Sequence, residues 1–162
     1  MQKILKFAIR SFFAVMLLIA ALGKMADNRH FAEILAQWNL FPDWSLLTIG
    51  VLAILSELIL SIWLFSGIFL AYAALATAAF HFVYTGLTIA ALSKGVRLED
   101  CGCFGIFFKH PLDWVMAGQD FGFTLLGLFL FWLSKGRESV RTNSWREKFV
   151  DQHLHKKELE HA

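Results

Sequence analysis

Four stretches of the chain stay almost wholly apolar for the length of a bilayer crossing: residues 7–23, 46–65, 69–92 and 114–133. A helix needs about 20 mainly apolar residues to cross the hydrocarbon core. None of the four shows the two-residue alternation of a membrane barrel strand, so helices are the expected elements. The breaks between them are polar or turn-forming, with Ser66-Gly67 as a tight turn and a glycine-containing segment at 93–111. No internal repeat or low-complexity stretch interrupts the pattern. The pattern predicts an all-α integral membrane four-helix bundle over residues 1–134. A charged tail follows at 135–162, expected to be helical, with Trp145 and Phe149 one turn apart.

Composition supports this reading. Hydrophobic residues make up 57% of the chain and charged residues 17%, and mean hydropathy is +0.57. Soluble domains carry about 25% charged residues, and disordered chains carry more charge and less apolar surface. Both classes are therefore excluded. Two cysteines exclude a disulfide-dense scaffold. No Gly-rich phosphate loop, His–Glu zinc pair, nucleophilic serine motif or haem-attachment motif is present.

The distribution of Lys and Arg sets the expected direction. Ten basic residues lie in the terminal regions, from Lys3 to Lys157, against five on the other side: Lys24, Arg29, Lys94, Arg97 and Lys109. Both termini are expected in the cytoplasm, and the segments after spans one and three outside. The chain is thus expected in the bacterial inner membrane as a multi-pass protein. Trp44 and Trp114 mark the outer ends, Trp63 and Trp132 the inner ones. Span one has an alternative reading as a signal peptide ending at Gly23, but the residues that follow fit a retained helix better. The basic residues flank the membrane and need no nucleic acid to explain them.

Charged groups inside a bilayer are costly and mark function or a bundle interior. Glu57 and His81 each lie about 16 Å below the outer boundary at 1.5 Å per residue. Their spans are consecutive and antiparallel, so the two are expected to meet near mid-membrane. Thr77, His81, Thr85 and Thr88 form one polar stripe, beside Tyr84, expected to face the other helices. Two readings stand for Glu57, His81 and the stripe: a structural polar network, or a proton path or quinone headgroup site. At the end of span one, Lys24 is expected to pair with Asp27 one turn away, or with Asp100 or Asp120; Arg97 lies at the same depth. A cation there would also favour a nearby thiolate.

Both cysteines fall in Asp100-Cys101-Gly102-Cys103-Phe104-Gly105, after span three. A pair one residue apart reads as a redox-active dithiol, as two metal-binding thiolates completed by His110, or as inert thiols. The exterior is oxidising. A disulfide across one residue closes too small a loop to serve well as a staple, and strained disulfides are the labile ones. Redox use is therefore favoured. His153, His155 and His161 in the tail match no recognised ligand spacing.

Leu22-Gly23-Lys24-x-x-Asp27, the glutamate of span two and Asp-Cys-Gly-Cys-Phe-Gly together resemble the methylamine-utilisation protein MauE family, within the wider DoxX-like group. The resemblance covers about residues 5–133. It implies a four-helix inner-membrane protein linked to maturation of a periplasmic, disulfide-rich enzyme subunit, and relatives associated with quinone-linked thiol redox. Lys24, Asp27, Glu57, Cys101 and Cys103 match the family pattern. Members often carry an arginine followed by Asn or Asp at the start of span four; here Gln119-Asp120 stands in that place, and no role of that arginine is carried over.

The expected function is a thiol–disulfide oxidoreductase. Cys101 and Cys103 would exchange with a periplasmic thioredoxin-like partner or disulfide-bearing client, and a quinone is a candidate cofactor. With no second cysteine pair, the chain cannot relay electrons between two dithiols of its own. The alternatives are a non-catalytic membrane assembly factor and a thiolate metal carrier.

Overall fold

The computed structural model describes residues 2–135. The tail from 136 onward, with its expected helix and with Trp145, Phe149, His153, His155 and His161, lies outside the described residues. Among the described residues there are five α-helices: α1 (Gln2–Ala26), α2 (Asn28–Gln37), α3 (Leu46–Ser66), α4 (Leu70–Ser93) and α5 (Trp114–Lys135). Four of them are long and apolar enough to cross a membrane. The span boundaries read from hydropathy agree with them to within a few residues. The end of α3 shows backbone chemistry stopping a helix. Gly67 closes α3 at φ +65, a conformation that costs glycine nothing. The Arg10 guanidinium packs against that glycine and lies 5.5 Å from the Phe7 ring, which explains a charge near the start of α1.

The helix α2 was not expected. Asp27 starts it, its carboxylate accepting the His30 N–H at 2.9 Å. Its apolar residues Phe31, Ala32 and Leu35 pack with Leu46 of α3. Asn28 and Phe31 lie against Gly50, so α1 ends beside the second turn of α3 rather than level with its start. A ten-residue amphipathic helix buries only one stripe, too short to register as a span.

Among the described residues the apolar core falls into three clusters, the largest of which joins four helices. Phe13, Ala14 and Leu17 of α1 meet Leu60 and Leu64 of α3, Ala73 and Ala74 of α4, and Leu130 of α5. Ser61 donates to the Ala14 carbonyl at 2.8 Å, tying α3 to α1. Ala78 of α4 packs on Gly127 of α5. Contact between α3 and α4 is sparse by comparison with α1 and α3, which leaves a groove between them. Large apolar residues left exposed, among them Ile59, Ile62, Phe82, Val83 and Trp132, face outward, as expected where lipid is the solvent.

The segment between α4 and α5 is pinned at its base by an antiparallel bridge of Leu98 with Leu112, whose N–H donates to the Leu98 carbonyl at 2.9 Å. Above it the Cys101 N–H donates to the His110 carbonyl at 2.7 Å. The tip folds back over the end of α1, where Ile106 N–H reaches the Gly23 carbonyl at 3.4 Å. Gly23 and Gly105 make this approach possible. A methyl group on Gly23 would overlap the Phe104 carbonyl, and one on Gly105 would overlap the backbone of Gly23 and Lys24. Gly105 also has φ +57. Gly105→Ala is expected to destabilise the fold by about 1–3 kcal/mol through this overlap. It should lower the thermal midpoint in detergent and speed maleimide labelling of Cys101; an unchanged midpoint would refute the close docking.

Candidate functional site

The end of α1 carries a fully buried lysine. Lys24 donates to the Glu57 carboxylate of α3 and, at 2.6 Å, to the carbonyl of Cys103. The rings of Phe31 and Tyr84 lie 5.3 and 5.9 Å from its ammonium. A single cation thus joins α1, α3 and the cysteine segment, with α2 and α4 supplying aromatic faces. This overturns the expected pairing of Lys24 with Asp27, Asp100 or Asp120. Asp27 is exposed and caps α2, and Asp100 accepts the Gly102 N–H at 2.9 Å. Arg97 is exposed, and among the described residues it makes no ion pair.

Glu57 and His81 line one small cavity but share no hydrogen bond. The Glu57 carboxylate is held by Lys24 through one oxygen, while the His81 Nδ1 lies 2.9 Å from the Thr77 carbonyl of its own helix. The imidazole is enclosed by Phe13, Phe80 and Phe123 at 5.3–5.7 Å between ring centres. The polar stripe of α4 is buried as expected, but its hydrogen bonds run within the helix. Thr77 donates to the Ala73 carbonyl at 2.8 Å and Thr85 to the His81 carbonyl at 2.9 Å. A small cavity of about 50 Å³ gathers Glu57, His81, Tyr84, Asp120, His110 and both cysteines. One oxygen of Glu57 and one of Asp120 are buried without a partner. Such a volume holds a water molecule or two.

The two thiols are unbridged and adjacent. Cys101 is buried at 1% exposure, packed among Ile34, Trp38, Leu92 and Met116; Cys103 is partly buried. The Cys103 N–H donates to the Cys101 sulfur at 3.2 Å, and the Cys103 thiol lies 4.0 Å from the Cys101 carbonyl. Gly102 between them has φ +73 and sits against Phe31 and Ile34, where a side chain would collide. Hydrogen bonding with Cys101, together with burial, pushes the Cys103 thiol well above the ordinary thiol range, although Lys24 pulls the other way. His110 meets Cys101 through its backbone carbonyl rather than its ring. Among the described residues, no group of three His, Cys, Asp or Glu side chains is placed to hold a metal ion.

The second face of the cysteine pair opens on a groove of about 600 Å³ between α3 and α4. Sequence reading did not find this groove, the helix α2, or the contact of Lys24 with the Cys103 carbonyl. The only local signal for that contact was Gly23, a residue without a side chain beside a lysine at a helix end.

A family model described as Methylamine utilisation protein MauE matches residues 2–133. The chain belongs to this family. Two relatives carry the same description, Methylamine utilization protein MauE. That of Paracoccus denitrificans is 25% identical over 127 residues, covering 78% of this chain and 68% of the relative. That of Methylorubrum extorquens is 29% identical over 133 residues, covering 77% and 67%. No solved structure matches the chain. Family membership agrees with the resemblance read from the Leu-Gly-Lys, glutamate and Cys-Gly-Cys elements, and the matched range includes Lys24, Glu57, Cys101 and Cys103.

Two outcomes test the site. Lys24→Met leaves the Glu57 carboxylate buried without its partner and should cost about 3–5 kcal/mol, whereas Lys24→Met/Glu57→Met should recover most of it. Thermal unfolding in detergent measures both, and equal losses in the single and double variants would refute the pairing. Alkylation of Cys103 needs its thiolate, so below its raised pKa the rate should climb about tenfold per pH unit from neutral pH upward. Fragment mass spectrometry resolves the two sulfurs, and a plateau near neutral pH would contradict the environment described.

Proposed function

We propose that this membrane protein is a thiol–disulfide oxidoreductase whose working group is Cys101-Gly102-Cys103. The observation that carries the reading is the placement of the chain's two cysteines. They touch one another, in a segment clamped by a buried ion pair, with Cys103 partly buried and Cys101 fully buried. A structural staple over one intervening residue would gain little loop-closure entropy. The charge distribution supports termini in the cytoplasm of a bacterial inner membrane and the cysteines facing the periplasm.

In the oxidising direction, a thiolate of a reduced periplasmic client or thioredoxin-like partner attacks Cys103 of the oxidised pair. The Cys101–Cys103 bond breaks, Cys101 leaves as thiolate and takes up a proton, and a mixed disulfide forms. The client's second thiolate then displaces Cys103, so the client leaves oxidised and the pair is left as a dithiol. Lys24 and Glu57 act as positioning residues here, since Lys24 holds the Cys103 carbonyl and not its sulfur. The relatives' description as methylamine utilization proteins supports a client in that process, which in this reading is a periplasmic enzyme subunit whose disulfides must be made.

A second reading, a non-catalytic assembly factor, is favoured by the exposed Ile106, Phe107 and Phe108 beside the pair. Cysteine variants separate the two. In Cys101→Ser, Cys103 can still attack a client disulfide but the neighbouring thiol that would release the mixed disulfide is gone, so mixed disulfides through Cys103 with periplasmic proteins should accumulate, visible on non-reducing gels. If none form, and Cys101→Ser and Cys103→Ser both keep client maturation at wild-type levels, the assembly reading replaces the redox one.

A further inference from the structure

When Cys101 leaves the disulfide as a thiolate, it needs a proton. Resting on the exchange reading, we infer that Asp120 of α5 is the donor, passing the proton through a water to the departing Cys101 sulfur. Cys101 is 1% exposed and packed among Ile34, Trp38, Leu92 and Met116. A bare thiolate among apolar side chains is costly, and bulk water does not reach this one, so the proton has to come from within the protein. The cavity of about 50 Å³ is lined by both sulfurs and by Asp120, with room for a water or two. The Oδ2 of Asp120 is buried without a hydrogen-bond partner, and among the described residues Asp120 makes no ion pair. Its carboxyl is therefore free to release and take up a proton.

The other titratable groups around the cavity are committed elsewhere. Lys24 from α1 and Glu57 from α3 hold one another. His81 from α4 has its Nδ1 2.9 Å from the Thr77 carbonyl; a carbonyl only accepts, so the ring hydrogen is used there. Tyr84 of the same helix is a phenol, with an ordinary pKa of about 10, a poor acid at neutral pH. Cys103 is the sulfur under attack. Its thiol is raised first by hydrogen bonding with Cys101, then by burial, and the Asp120 charge adds to the rise, so carboxyl and pair share one electrostatic environment. His110 is half-buried and lines both this cavity and a groove along α1, so its ring brings in the replacement proton. The step balances. An attacking thiolate bonds to the Cys103 sulfur and the Cys101–Cys103 bond breaks, its electron pair passing to Cys101. The Asp120 proton moves to that sulfur through the water, which leaves Cys101 as a thiol and Asp120 as a carboxylate. Run backward, the same path removes the Cys101 proton.

Dithiothreitol is the probe, added to the full chain in lipid nanodiscs with the pair oxidised. Thiols formed at each time are trapped with maleimide in denaturant and counted by mass spectrometry. A general acid works only while it is protonated. Per dithiothreitol thiolate, the wild-type rate should therefore fall as pH rises through the titration of Asp120. Asp120→Asn should be about a hundredfold slower at the acid end and flat with pH. Asp120→Glu keeps a carboxyl and should restore part of the acid-dependent rate. His110→Leu should keep the first turnover, because its donor is already loaded. A purely structural Asp120 would move the thermal midpoint but not the shape of the profile. The proposal is overturned if the wild-type rate per thiolate does not fall with pH, or if Asp120→Asn keeps the wild-type profile. It is also overturned if His110→Leu loses the acid limb in the first turnover. In each case a pair that still cycles with dithiothreitol leaves the exchange reading standing. If the Cys101–Cys103 disulfide cannot be formed, or dithiothreitol does not reduce it, both readings fall.

Discussion

A lysine ammonium buried inside a membrane bundle holds this structure together. An isolated charge at that depth costs several kcal/mol, and burial repays itself only when a partner and further hydrogen bonds use the charge fully. Lys24 meets both conditions: Glu57 supplies the opposite charge, the Cys103 carbonyl accepts a second hydrogen bond, and Phe31 and Tyr84 offer their ring faces. An ammonium has three donors and no acceptor, which suits it to collecting groups from several directions. Here it collects α1, α2, α3, α4 and the segment between α4 and α5. The cysteine segment therefore sits within the end of the bundle instead of standing clear of it.

That position shapes the chemistry. Docked against Gly23, the Cys-Gly-Cys turn closes the end of α1 and presents two different faces. One looks into a small cavity that includes buried carboxylates, the other into a long apolar groove. The groove exists because α3 spends its packing on α1, through Ser61 and Leu64, and leaves its contact with α4 open. Membrane helices have no hydrophobic drive to close such a gap, since lipid tails solvate it as well as another helix would. An open seam between helices is thus compatible with a stable bundle, and it leaves an apolar groove beside the cysteine pair.

Much of this was legible in the residues. Span limits followed from apolar length, and Lys24, Glu57, Cys101 and Cys103 stood out because charge and thiols are scarce in such a chain. The partner of Lys24 was misread for a physical reason. Pairing by depth assumed helices that all begin at one boundary, whereas α1 stops beside Gly50 and then turns into α2. Asp27, one turn from Lys24, serves the new helix as a cap, and a cap requires the chain direction to change at that residue. Glu57 and His81 were matched by the same depth estimate. They line one cavity, but one Glu57 oxygen is held by Lys24 and the His81 Nδ1 faces the Thr77 carbonyl, neighbours that depth alone does not reveal.

By itself the sequence determined the solvent, the number of crossings and the chemical inventory, because these depend on local runs and on which residues exist at all. It also carried the family pattern, through short elements whose spacing survives without coordinates. Which buried charges meet was decided only in three dimensions. So were the seam between α3 and α4, the reach of the cysteine segment back to Gly23, and the inequality of the two sulfurs. Each of these depends on contacts between residues distant in the chain, whose separation is set by how helices tilt, stop and leave space rather than by the order of residues along any one of them.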